Sequence, residues 1–107
     1  MLHLNHKKLR AWQLSIELVL LIKELCTYFP DGEKFVLTQQ MRRAALSVPN
    51  NIAEGASRKS AVERKRFYEI SRSSLVELDT DIEICLLLNY VSPPTNYKNR
   101  KIDGGNL

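Results

Sequence analysis

Few side chains in this 107-residue sequence stand where they could do chemistry. His3 and His6 are spaced to share one face of a helix and could offer two metal ligands. No third or fourth ligand follows at a recognisable spacing, because Cys26 and Cys85 lie far apart in separate apolar patterns. Nucleophilic catalysis by a Ser–His or Cys–His pair needs a histidine within the body of the fold, and none occurs beyond His6. The four glycines, at 32, 55, 104 and 105, form no phosphate-cradling loop. Glu77, Asp79, Asp81 and Glu83 alternate along one stretch. Residues two apart on a helix point in different directions, so these carboxylates read as a solvated acidic face rather than an acid–base pair. The expectation is a protein without catalytic residues, metal, cofactor or small-molecule substrate.

The basic residues carry more information. Residues 58–72 hold Arg58, Lys59, Arg64, Lys65, Arg66 and Arg72 against two acidic residues, a net of +4. Residues 73–90 hold four acids and no base. On a single helix this polarity opposes the macrodipole, at about a few tenths of a kcal/mol per residue. Three readings stay open: a phosphate-binding surface formed by those six residues, pairing with the acidic half of a neighbouring subunit, or plain solvation. Within the basic run, Phe67 reads as core, and Tyr68 as either a stacking or a packing residue.

These residues need helices to position them. Leu9, Trp12, Ile16, Val19 and Cys26 form one stripe at helical spacing, and Leu14, Leu18, Leu21, Ile22, Leu25 and Phe29 form a second. The spacing predicts a first helix over 8–28, apolar on two sides and therefore central in a bundle or set against another subunit. A second helix is predicted from Thr38 as N-cap, with Met41, Ala44, Ala45, Val48 and Ile52 inward, a kink at Pro49 and a stop at Gly55. The third opens on a Ser60/Glu63 capping box, runs to about Asn89 and turns Phe67, Ile70, Ser74, Leu78, Ile82 and Cys85 inward. Ser71, Ser73 and Ser74 are small enough to let a neighbouring backbone approach. The expected class is all-α, with three long helices and no sheet. Residues 1–90 are read as the bundle and 91–107, with Pro93-Pro94 and Gly104-Gly105, as a polar tail.

The net charge of +4 and 44% hydrophobic residues suit one globular domain. No signal peptide or membrane-spanning run is visible, so a cytoplasmic protein is expected, with both cysteines as buried thiols outside any disulfide.

Residues 29–55 carry a resemblance. Phe29-Pro30, Glu33 to Thr38, Gln40-Met41-Arg42-Arg43-Ala44-Ala45 and Ser47 to Gly55 are similar to the signature of the 23S rRNA intervening-sequence protein family, the four helix bundle proteins. Leu9, Trp12 and Gln13 match its opening, and Phe67, Ser74-Leu75 and Glu77-Leu78 its third helix, so the likeness covers about 8–90. It implies an antiparallel up-and-down bundle assembled as a ring-like homo-oligomer, commonly a pentamer, in a bacterial, non-enzymatic protein. A related branch serves as the accessory subunit of a reverse transcriptase with a basic surface for RNA or DNA. The family's fourth helix has no counterpart after Leu88-Asn89-Tyr90, which suggests a truncated gene or a bundle completed by a partner.

Within the motif of Arg42, Arg43, Pro49, Asn51, Glu54, Gly55 and Glu77, the polar residues also have structural readings. Asn50 or Asn51 can satisfy a carbonyl freed by Pro49. Glu54 can pair with Arg58, and Glu77 with Arg43 across the bundle. Three helices with broad apolar faces leave a patch to cover, so self-association through the 12–29 stripes is expected.

Overall fold

The computed structural model describes residues 4–91, and in 31–35 the backbone alone. A short 3-10 turn, Asn5–Lys8, leads into α1 (Arg10–Cys26), α2 (Asp31–Ser57) and α3 (Ala61–Leu87). No strand occurs among the described residues, so the expected all-α bundle is what forms. Of the tail read at 91–107, Val91 instead packs against the core, and 92–107 lie outside the described residues, as does His3.

α2 is the central element. It packs against both α1 and α3, whereas no Cα of α1 comes within 8 Å of a Cα of α3. Of the two placements expected for the first helix, central in a bundle or set against another subunit, the central one is therefore not met. The reason lies in side-chain size. α2 buries Met41, Ala44, Ala45, Val48 and Ile52, as its spacing predicted, and the two alanines let neighbours approach its backbone on either side. Ile22, Cys26 and Phe29 from the α1 segment, with Leu78 and Cys85 from α3, close the core around them.

On α1 the buried positions Ser15, Ile22 and Cys26 run along the seam between the two expected stripes. Both stripes are therefore half used, and Leu14 and Leu21 stay 47% and 61% exposed. On α3 the inward face is Ser71, Ser74, Leu78, Asp81 and Cys85. Ile70, expected inside, is exposed, and Asp81, expected in a solvated acidic face, is 3% exposed. Ser71 and Ser74 do bring the helices close: Ser71 Oγ donates to the Val48 carbonyl at 3.0 Å and Ser74 Oγ to Ser47 Oγ at 2.8 Å. Ser73 faces outward.

The helix ends test the punctuation. α2 begins at Asp31 rather than Thr38, because Leu37 extends the Met41 stripe one turn upstream and packs on the core. Thr38 is thus an interior residue, and its buried hydroxyl has no hydrogen-bond partner among the described residues. Pro49 lies inside α2, which runs on to Ser57. Gly55, read as the stop, sits within the helix without the positive φ of a C-terminal glycine. α3 starts as predicted, with Ser60 Oγ accepting from the Glu63 N–H at 3.1 Å. It ends in a motif the sequence reading passed over. Asn89 adopts φ 60°, the Asn89 N–H donates to Leu86 O, and the Tyr90 N–H reaches back to Cys85 O at 2.9 Å. That reversal lays the Tyr90 ring 5.9 Å from Phe29 and pins the end of α3 to the end of α1.

Cys26 and Cys85 are both buried thiols. Their Cα atoms, on α1 and α3, are more than 8 Å apart, too far for a disulfide without backbone movement. Cys85 instead points its thiol at Met41 Sδ, 3.7 Å away, and burial is the main cause that pushes its pKa up. No helix among the described residues is long and apolar enough to cross a membrane.

Candidate nucleic-acid interface

The six basic residues of the 58–72 run fall on the α2–α3 turn and the first half of α3, but the fold uses them unequally. Arg58 is bound to its own scaffold. Its Nη2 lies 3.1 Å from Glu54 Oε2, the i,i+4 pair expected from spacing, and its guanidinium stands 4.8 Å over the Phe67 ring. Arg64 is committed to the turn, with Nη1 donating to the carbonyls of Lys59 at 2.7 Å and Arg58 at 3.1 Å. It closes the end of α2 against the start of α3, where backbone carbonyls would otherwise point at water. Lys65 stands 3.9 Å from Glu69, a loose contact between two well-exposed groups.

Lys59, Arg66 and Arg72 are exposed, and no ion pair within 4 Å engages them among the described residues. They are the part of the run free to meet an external anion. One end of α3 therefore offers three uncommitted cations, supported by a turn that two arginines stiffen.

The motif residues of α2 divide in a similar way. Asn51 Nδ2 donates to the Ser47 carbonyl at 2.8 Å and to Ser47 Oγ at 2.9 Å. This is not the expected role: the carbonyl that Pro49 leaves without a donor is that of Ala45, four residues back, whereas Asn51 bonds Ser47. Ser47, absent from the sequence-derived candidates, is the hub of this network, accepting from both Asn51 and Ser74. Gly55 sits at a close approach of α2 and α3: a Cβ there would stand 2.6 Å from Tyr68 Cε1. The expected Arg43–Glu77 ion pair does not form within 4 Å, though both residues line one shallow groove with Val36, Gln39 and Gln40. Arg42 and Arg43 are exposed and share a second groove on the outer face of α2 with Gln39, Leu46 and Asn50.

Asp81 is the buried charge of the interface between α2 and α3. Gln40 Nε2 donates to its Oδ1 at 3.0 Å, while Oδ2 is buried without a partner among the described residues. Burial is the main cause that raises its pKa, the nearby Glu77 adds to the rise, and the Gln40 bond opposes it. Nothing in the local sequence signals the Gln40–Asp81 pairing, which joins two helices across 41 residues. His6 packs edge-on against Trp12, with ring centroids 5.2 Å apart. Among the described residues no group of three or more His, Cys, Asp or Glu side chains could hold a metal ion.

A central small-residue helix flanked by two longer-chained ones, with a polar motif spent largely on its own packing, defines a small all-helical bundle protein. The 23S rRNA-intervening sequence protein family model matches residues 7–102, and the chain belongs to that family. The match continues past Tyr90, where the motif likeness had ended. No curated protein matches the chain.

Proposed function

We propose that this chain is a non-enzymatic, self-associating nucleic-acid-binding protein whose natural ligand is RNA. One observation carries the reading: Lys59, Arg66 and Arg72, on the turn into α3 and its first half, are exposed with no ion pair among the described residues, while the second half of the helix bears only acids among its charged groups. A solvated surface interleaves its charges. Segregation of this kind attracts a polyanion to one end and repels it from the other. The family's tie to 23S rRNA supports RNA over DNA.

Self-association belongs to the same proposal. Leu14, Leu20 and Leu21 stand about half exposed on α1, and covering the remainder of each is worth about 1 kcal/mol. A purely structural oligomer, with no nucleic-acid contact, is the competing reading that these leucines also favour.

Electrophoretic titration with RNA and DNA at low salt separates the two readings. The wild-type protein binds, and a Lys59→Gln/Arg66→Gln/Arg72→Gln variant loses most of that binding while keeping its helix content and subunit number. A wild-type protein that assembles but binds neither polymer would leave only the structural oligomer.

A further inference from the structure

One groove, of about 420 Å³, has no part in the packing described above. Leu9 and Arg10 line it from the start of α1, Ile52 from α2, and Tyr68, Arg72 and Leu75 from α3. Its floor is apolar and its rim carries two arginines from different helices. Tyr68 lies against Gly55 on one side and remains 39% exposed on the other. The glycine leaves room for the Cδ1–Cε1 edge of the ring beside α2, since any larger residue at 55 would push it outward.

From this geometry we infer that the groove receives an unstacked base of a single-stranded nucleic acid. The inference rests on the nucleic-acid reading above and adds to it the form of strand and the place of contact. Three features select that occupant. The volume sits at the low end of small-ligand pockets, which run from about 300 to 1,000 Å³, and suits one nucleotide. An exposed aromatic ring stacks with any base, and the two arginines that line the groove can meet the flanking phosphates. Arg72 also belongs to the basic run, so a strand tracked along Arg66 and Arg72 arrives at the groove without crossing the acidic half of α3. A duplex keeps its bases stacked inside and has no group to insert.

The test compares a short single-stranded RNA with the blunt duplex of the same sequence, by fluorescence anisotropy at low salt. Wild-type protein binds the single strand more tightly. Tyr68→Leu weakens single-strand binding roughly 5- to 150-fold, the factor one stacked base contributes, and leaves duplex binding unchanged. Tyr68→Phe retains the preference. Should Tyr68→Leu fail to fold, Leu9→Glu sets a carboxylate into the groove from the exposed start of α1, where an acid suits the helix end. It too lowers single-strand affinity alone. Equal binding of both forms, with neither Tyr68→Leu nor Leu9→Glu changing it, would overturn the groove assignment while the basic run kept its role. Wild-type protein that binds neither form would remove the nucleic-acid reading itself, and the groove with it.

Discussion

Replacing Gly55 by alanine sets two opposing effects against each other. Gly55 lies inside α2 with an ordinary helical φ, so alanine should stabilise the helix by about 0.8–1 kcal/mol on propensity alone. The new Cβ, however, would stand 2.6 Å from Tyr68 Cε1, 2.9 Å from its Cδ1 and 3.2 Å from the Arg64 carbonyl oxygen. The ring can swing outward, but the carbonyl belongs to α3 and moves only with that helix. Overpacking of this sort costs roughly 1–3 kcal/mol, so Gly55→Ala should destabilise by up to about 2 kcal/mol net. For a domain of this size that lowers Tm by up to roughly 15 °C. Thermal unfolding followed by circular dichroism at one fixed protein concentration measures it, since assembly makes Tm concentration-dependent. The double-mutant cycle is decisive. With Tyr68→Ala in place the ring clash is gone, and Gly55→Ala should fall to near neutral, a coupling of about 1 kcal/mol or more. A Gly55→Ala protein more stable than wild type, with no coupling to Tyr68, would refute the close approach of α2 and α3.

Three further outcomes follow from individual side chains. Leu21→Glu, on the exposed flank of α1, should reduce subunit number by sedimentation at unchanged helix content, whereas Leu18→Glu should also unfold the chain, because Leu18 packs on the core. Asp81 has a folded-state pKa above its ordinary 3.8, so its ionised form is disfavoured in the fold and its contribution to stability grows as pH falls through the raised value toward 3.8. Asp81→Asn, which keeps an acceptor for Gln40, should therefore gain on wild type at neutral pH and lose that advantage near pH 4; an advantage that grows on acidification would reverse the argument. Arg64→Gln removes the donor to the Lys59 and Arg58 carbonyls and should cost about 0.5–1.5 kcal/mol in denaturant unfolding, whereas Lys65→Gln should change stability by less than about 0.5 kcal/mol.

How much of this was legible in the sequence depended on how local each signal is. The inward set of α2, the Ser60 cap and the Glu54–Arg58 pair all lie within a turn or two of chain and were read correctly. Spacing left open whether α1 sits at the centre or against another subunit, because apolar breadth on α1 competes with backbone accessibility on α2, and only packing decides between them. Thr38 looked like a cap and Gly55 like a stop for the same reason: both types have a second use, in the interior and at a close crossing. Among the candidate site residues, spacing put the six basic groups on one stretch of α3 and its turn. It could not foresee that Arg64 would be drawn back to the turn carbonyls or Arg58 onto Phe67. Asp81 was misread outright, since a two-residue alternation of acids says nothing about which one a neighbouring helix will cover.

The salt dependence of RNA binding tests the central proposal most directly. Each phosphate neutralised on a single strand contributes about −0.7 to the slope of log K against log salt. Lys59, Arg66 and Arg72 alone give a slope of about −2 per protomer, and engagement of all six basic residues about −4. Filter binding of a single-stranded RNA across a series of salt concentrations should return a slope within or beyond that range, steeper if several protomers contact one strand. A flat dependence, or no binding at the lowest salt, would contradict the assignment of the basic half of α3 to nucleic acid.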